Sequence, residues 1–319
     1  MSGGRAVVDA KPPRALGLAA LALAFALFLT VGGIGLDRYL RNYWLYRGFP
    51  PPTDPAFVRV KGETQTFDVA SPALGGRKQQ VLVYLPPGYA SHPHRRYPVF
   101  YLLHGFPGRP TAFLLTVRMG VIEDVVTTRQ SGQPMILVMP FGSTGTFTDK
   151  EWVNGYRPDE NWETFVARDV VRAVDARYRT IRSGSGRALG GLSEGGYAAL
   201  NIGLHHPGEF RVLESWSGYE RADNLKSIFG GNAQRLAWNS PLERLRAVAR
   251  GLRRNRAYVW LYSGTTDRLR TQNERFTREL AAAGIAHRYF VVAGGHNWAL
   301  WRANAARAYL VAATHLAHG

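Results

Sequence analysis

The stretch Gly186-Arg-Ala-Leu-Gly-Gly-Leu-Ser193-Glu-Gly-Gly-Tyr-Ala-Ala-Leu200 organises the whole chain. Within it, Gly191-x-Ser193-x-Gly195 is flanked by one more glycine on each side, Gly190 and Gly196. The apolar pair Ala188-Leu189 leads in, and a helix-forming segment beginning at Tyr197 leads out. A strand, a turn too tight for flanking side chains, and a helix therefore follow one another, with Ser193 at the turn. There the serine stands at a helix N-terminus, where backbone N–H groups face any negative charge that forms beside it. Gly-x-Ser-x-Gly also occurs as an incidental glycine-rich turn. The strand–turn–helix context reads instead as a nucleophile elbow.

An elbow serine needs a general base, a group that orients the base, and donors for an oxyanion. The partners are expected in the order serine, acid, histidine, each just beyond a strand end. Asp267 follows the apolar run 257–262 and is the acid best placed; the competing reading is a turn-capping aspartate. His296 lies in Ala293-Gly-Gly-His296-Asn-Trp298, a loop between a last strand and a final helix. His104-Gly105-Phe106-Pro107-Gly108 follows the apolar run 97–103 and matches the H-G-x loop that supplies an oxyanion N–H. The expected backbone donors are thus Phe106 and Glu194. Glu194, His104 and Trp298 are the candidate substrate contacts, with His104 ordering its loop rather than exchanging protons. His92, His94, His205, His206, His287, His315 and His318 read as structural or exposed.

Length and composition set the bounds. The chain has 319 residues, of which 45% are hydrophobic, enough for one large α/β domain with a small appendage. It has no cysteine, which excludes disulfides, thiolate metal sites and a cysteine nucleophile. No metal cluster or nucleotide motif is visible, and no cofactor is expected. The net charge of +17 comes largely from arginine. The basic clusters carry no interleaved aromatics and no nucleic-acid motif, so a nucleic-acid partner is not expected. An anionic membrane surface is one use for such charge, and a genome-wide bias toward arginine is the other explanation.

Residues 1–14 read as a short basic tail, expected on the cytoplasmic side. Ala15 to Leu36 carries no charge; roughly 22 residues at about 1.5 Å each span about 33 Å, enough for a bilayer core. The run is long for a cleaved signal peptide, so an uncleaved transmembrane anchor is expected. Arg38, Arg41 and Arg47 nearly balance the positive-inside count, and an extracytoplasmic domain is the commoner arrangement. Tyr39, Tyr43, Trp44 and Tyr46 read as an interfacial aromatic belt. Residues 37–55 form the expected linker, stiffened by the prolines in Gly48-Phe-Pro-Pro-Pro-Thr-Asp-Pro55.

The domain is expected over 56–319. Strands are predicted at 57–62, 64–69, 80–85, 97–103, 135–139, 212–216, 257–262 and 288–292. Several are almost continuously apolar, as strands buried on both faces are. Helical spacing predicts helices at 162–178, with Asn161 as N-cap, and at 270–283 and 298–317. The alternation implies a mainly parallel, doubly wound α/β sheet.

From these residues the chain resembles the putative-esterase family of α/β-hydrolases, which includes esterase D, enterochelin and feruloyl esterases, and the antigen 85 mycolyltransferases. The resemblance runs from about 64 to 315. It rests on Val81-Leu-Val-Tyr-Leu-Pro-Pro-Gly-Tyr89, Tyr97-Pro-Val-Phe-Tyr-Leu-Leu-His-Gly105, Gly190-Gly-Leu-Ser-Glu-Gly-Gly-Tyr197 with Ala199-Leu-Asn201, His206-Pro-Gly-Glu-Phe210 and Gly295-His296-Asn-Trp298. It implies the α/β-hydrolase fold and a Ser193–His296–Asp267 triad, with 218–256 as the helical insertion over the site. Glu194 departs from the methionine of many members, and its carboxylate could favour a cationic substrate group or perturb the pocket. The expected function is a membrane-anchored serine esterase acting on an envelope ester, such as a lipid ester or an aminoacylated phospholipid. Acyl transfer to an envelope sugar, a siderophore or plant-type ester substrate, and a non-catalytic membrane scaffold are the alternatives.

Overall fold

The computed structural model describes residues 14–46, 49, 53–145, 148, 150–155 and 157–319. The tail at 1–13 and linker residues 47, 48 and 50–52 lie outside the described residues, as do the side chains of 38, 39 and 41–46, which include the expected aromatic belt. The chain divides into two units, Met1–Pro51 and Pro52–Gly319.

In the first unit α1 (Arg14–Tyr46) is a single helix of 33 residues. Its segment Gly17–Asp37 is long and apolar enough to cross a membrane. The one hydroxyl there is satisfied within the helix, Thr30 Oγ1 donating to the Ala26 carbonyl at 3.0 Å. The helix continues to Tyr46, through residues expected to begin the linker. Residues 37–46 contain neither glycine nor proline to stop it.

In the second unit, the described residues form a sheet of eight strands: β1 (Glu63–Ser71), β2 (Arg77–Leu85), β3 (Val99–Leu103), β4 (Ile136–Pro140), β5 (Arg187–Leu192), β6 (Val212–Trp216), β7 (Tyr258–Gly264) and β8 (Ala286–Val292). Their order is β1-β2-β4-β3-β5-β6-β7-β8. The hairpin β1–β2 runs antiparallel and joins β4 antiparallel; every pairing from β4 to β8 is parallel. This is the α/β-hydrolase fold.

Successive strand side chains point to opposite faces, and both faces are buried. Val99, Tyr101, Leu103, Val138, Leu189 and Val259 enter one core, while Phe100, Leu102, Leu137, Ala188, Val212 and Trp260 enter the other. This explains why these strands read as unbroken apolar runs. The second core is closed by α2 (Met119–Arg129) and a C-terminal helix, the first by the helices between β4 and β8. Those are α3 (162–177, with a wider π turn at 165–170), α4 (Glu194–His205), α5 (Pro241–Arg254) and α6 (Arg270–Ala282); the C-terminal helix is α7 (Trp298–His315). Helix α5 shows the pattern most plainly: Leu242, Leu245, Ala249 and Leu252 are buried and its arginines face outward. Each such leucine contributes about 1.5–3 kcal/mol on burial.

Two local expectations are corrected. Residues 57–62 form no strand. The Gly62 amide donates to side chains instead, to Tyr84 Oη at 3.0 Å and Asp124 Oδ1 at 2.9 Å. Asn161 does not cap α3. Its Nδ2 donates to the Pro158 carbonyl at 2.6 Å, and Asn154 Oδ1 accepts the Thr164 amide at 3.0 Å.

Candidate active site

The carboxyl ends of β3, β5, β6 and β7, with the loop after β8, converge on Ser193. The serine sits between β5 and α4 at φ 56°, ψ −120°. This left-handed region penalises side chains and persists only where the surroundings enforce it. Close packing enforces it here: a Cβ on Gly195 would lie 1.9 Å from the Leu103 carbonyl oxygen, and one on Gly191 2.4 Å from the same atom. The Ser193 amide donates to the Trp216 carbonyl at 3.1 Å, and its own carbonyl accepts the Gly196 and Tyr197 amides at 2.9 and 3.1 Å. The elbow is thus locked to β3 and β6.

His296 reaches Ser193 from the loop between β8 and α7. Its Nε2 lies 2.8 Å from Ser193 Oγ, and its Nδ1 lies 3.0 Å from Asp267 Oδ2. An ionised carboxylate only accepts, so Nδ1 carries the proton and the Nε2 lone pair faces the hydroxyl. The imidazole packs edge-to-face with Trp301, ring centres 5.1 Å apart at 86°. Glycine permits the loop's approach: Gly294 has φ 129°, and its carbonyl accepts the Thr266 amide at 3.0 Å. Asn297 then caps α7, its side chain accepting the Leu300 amide at 3.2 Å.

The Asp267 side chain is fully buried. It also caps its own turn, Oδ1 accepting the Leu269 amide at 2.9 Å, so both readings of this aspartate hold structurally. Oδ2 accepts a second hydrogen bond from the hydroxyl of Ser217. Burial is the largest influence on the carboxyl and acts to raise its pKa. The hydrogen bonds from His296, Ser217 and the Leu269 amide outweigh it and hold the group below the usual carboxylate range.

The loop after β3 passes against the elbow. A Cβ on Gly105 would come within 2.9 Å of the Leu192 oxygen and 3.1 Å of Ser193 Cβ. Phe106, next along, is 45% exposed. His104 is buried, and both ring nitrogens are spent on backbone, Nδ1 on the Gly105 carbonyl at 3.0 Å and Nε2 on the Gly142 amide at 3.2 Å. Burial lowers its pKa to about 4. It is therefore a neutral group whose two nitrogens tie the loop to the backbone around it. Trp152 completes the clamp, donating Nε1–H to the His104 carbonyl at 3.1 Å while its ring fills the space a side chain at 142 would need.

Of the expected substrate contacts, Trp298 is half-buried and packs edge-to-face on Trp301, ring centres 5.1 Å apart. Glu194, directly after the serine, is 6% exposed. His205 and His206 are drawn together by Glu163 at the far end of α4, 2.8 and 2.9 Å from its two oxygens. Sequence reasoning missed Ser217, Trp152 and Trp301. Ser217 alone had a signal, since it follows the end of β6 as Ser193 follows β5.

Comparison with known proteins agrees with this architecture. A family model described as Putative esterase matches residues 71–310. Esterase Rv1288 of Mycobacterium tuberculosis is 29% identical over 249 residues, covering 68% of this chain and 52% of its own length. The chain thus spans about half the length of that relative. Among solved structures, a ferulic acid esterase superposes with a TM-score of 0.69 at 23% identity, over 80% of this chain and 100% of its own. MPT51 of Mycobacterium tuberculosis does so with 0.60 at 17%, over 80% and 99%. These two likenesses show the shared fold. With the match of 71–310 covering most of the sequence, the chain belongs to the Putative esterase family.

Proposed function

We propose that this protein is a membrane-anchored serine esterase that hydrolyses a carboxylic ester of a cell-envelope substrate. The observation that carries the reading is the continuous hydrogen-bonded chain from Ser193 Oγ through His296 to Asp267 Oδ2, at 2.8 and 3.0 Å. In the proposed reaction His296 Nε2 takes the Ser193 proton as Oγ attacks the ester carbonyl carbon. Asp267 orients the imidazole and stabilises its cationic form. The Phe106 and Glu194 amides face the oxyanion that develops. Collapse of the tetrahedral intermediate breaks the bond to the alcohol, which leaves with the proton held on His296. Water then enters, loses a proton to His296 and attacks the acyl carbon, and the acid departs as Ser193 regains its hydrogen.

The helix at 17–37 is the proposed anchor, with the domain on the extracytoplasmic side. A lipid ester is the favoured substrate class for a tethered enzyme. An aminoacylated phospholipid is one such ester, its ammonium group suited to the Glu194 carboxylate. Acyl transfer would use the same acyl-enzyme with a sugar hydroxyl in place of water. A scaffold role leaves the ordered serine–histidine–aspartate chain without purpose.

The test is a fluorophosphonate probe applied to membranes carrying the full chain or Ser193→Ala, with short and long acyl esters assayed in parallel. Labelling that vanishes in the variant, and product release without an added acceptor, are the expected results. An unlabelled, well-folded wild type would overturn the catalytic reading. Carbonate extraction checks the anchor: release of the protein from membranes would contradict it.

A further inference from the structure

The amino ends of β5, β6 and β7, on the edge of the sheet opposite Ser193, carry a second feature. A groove of about 380 Å³ opens there between the turn at 183–185 and the end of α5, lined by Arg211, Arg254 and Arg256 together with Ser183 and Ser185. No aspartate or glutamate lines it. Some arginines of this domain find acids, as in Arg221 with Asp223, Arg246 with Glu279 and Arg270 with Glu274; what distinguishes the groove is that three without an acid partner line one concavity. Here the nearby acids are already taken. Asp175 and Glu209 both pair with Arg187, whose side chain is buried. Among the described residues no carboxylate is within ion-pair distance of Arg211, Arg254 or Arg256.

The cradle is held in place by backbone. Arg211 sits at the mouth of β6, its amide donating to the Arg187 carbonyl at 2.9 Å and its carbonyl accepting the Tyr258 amide at 2.8 Å. Arg256 occupies the left-handed region at φ 51°, which a non-glycine residue adopts only where its surroundings hold it. Asn255 provides part of that hold, with Nδ2 on the Pro207 and Gly251 carbonyls at 3.2 and 3.0 Å. The Ser183 and Ser185 hydroxyls lie 2.8 Å apart, so one hydroxyl hydrogen remains to be donated outward. The C-terminus of α5 opposes anion binding with about half a negative charge. Three guanidinium groups outweigh it several-fold.

We propose that this groove is a binding site for a phosphate-type oxyanion. Planar guanidinium forks match the oxygens of a tetrahedral phosphate, and hydroxyl donors complete the shell. The groove is open to solvent, so binding is salt-sensitive. The ligand is either the phosphate of an anionic lipid headgroup or a free phosphate group on a small molecule, and the chemistry is shared. Because the site lies across the sheet from Ser193, roughly 20 Å for a six-residue strand, it holds an anion without blocking the proposed ester site.

The test uses the full chain in nanodiscs of neutral phosphatidylcholine. Inorganic phosphate is titrated calorimetrically at low salt into wild type, into Arg211→Gln/Arg254→Gln/Arg256→Gln, and into a control of equal charge, Arg59→Gln/Arg275→Gln/Arg278→Gln. Wild type and control should bind phosphate alike, and the groove variant should bind at least ten-fold more weakly. Fluorophosphonate labelling of Ser193 should match in all three. Added phosphatidylglycerol vesicles separate the two sources. Groove-dependent vesicle capture that excess free phosphate competes away assigns a lipid headgroup, and groove-dependent phosphate binding without capture assigns a soluble ligand. Equal weakening in the control, or no phosphate binding by wild type at millimolar concentration, overturns the proposal. Should the triple variant fold poorly, Arg254→Gln alone must give a smaller loss of the same sign.

Discussion

Ser217 and Asp267 are joined by a hydrogen bond from the serine hydroxyl to Oδ2, the same carboxylate oxygen that accepts the His296 Nδ1–H. Ser217 is fully buried and held at φ 59°, and its amide donates to the Tyr262 carbonyl at 3.0 Å. Two donors on one oxygen leave the carboxylate little freedom to rotate away from the histidine.

Ser217→Ala therefore acts on the acid rather than on the nucleophile. Loss of one hydrogen bond to a charged group, worth about 1.5–3 kcal/mol, should lower kcat/KM on the order of 10-fold. The acid response has a definite sign. A carboxyl held low in the fold adds stability that is present above its unfolded value and lost as pH falls through its folded value. The variant should show a smaller stability difference between pH 7 and pH 3. An unchanged acid-unfolding curve together with full activity would show that the hydroxyl is idle.

Gly105→Ala should be more damaging than its size suggests. The added methyl would meet the Leu192 oxygen and Ser193 Cβ, both backbone-fixed at the elbow. Overpacking of this kind costs about 1–3 kcal/mol, and here it pushes the Phe106 loop off the serine. A fall in kcat of at least 10-fold with a melting temperature within a few degrees of wild type is expected. Wild-type turnover would mean that the loop's position does not matter.

Trp152→Phe keeps a ring beside Gly142 and removes the N–H given to the His104 carbonyl. One neutral hydrogen bond is worth about 0.5–1.5 kcal/mol, or roughly 2- to 12-fold. If the clamp positions the loop, the loss appears in kcat with KM unchanged. A change confined to KM would place Trp152 in substrate binding instead.

His104 gives a prediction in stability alone. Its pKa lies at about 4, below the free imidazole's 6.5, because burial penalises the cation. Between those values the unfolded chain takes up a proton that the folded chain refuses, so this group's stability contribution is lost as pH falls from 6.5 to 4. The difference amounts to at most about 3 kcal/mol. Denaturant titrations of the full chain in detergent should show a slope across this range that His104→Asn flattens. Parallel curves for the two proteins would mean that His104 is protonated in the fold.

Much of this was readable in advance, for physical reasons that differ from residue to residue. Tyr101 and Leu102 face opposite cores and are both apolar, so a doubly buried strand shows itself without any partner being known. Asp267 stands out because it follows such a strand, and His296 because it follows the last one, the half-buried edge strand β8. Residues 57–62 alternate as a strand would, but the Gly62 amide found Tyr84 and Asp124, which no local pattern announces. The Trp152–His104 contact joins residues 48 apart, and tertiary pairings over that distance leave no periodic trace.

The φ of 56° at Ser193 carries one more consequence. Glycine would occupy that conformation with less steric cost, and strain of this kind amounts to about 1–3 kcal/mol. The chain with Ser193→Gly should therefore melt above wild type by a few degrees while losing all turnover. Drift under selection for thermal robustness alone would erase this serine early. Its retention would have to be enforced by demand for the reaction, generation after generation, against the preference of the fold itself.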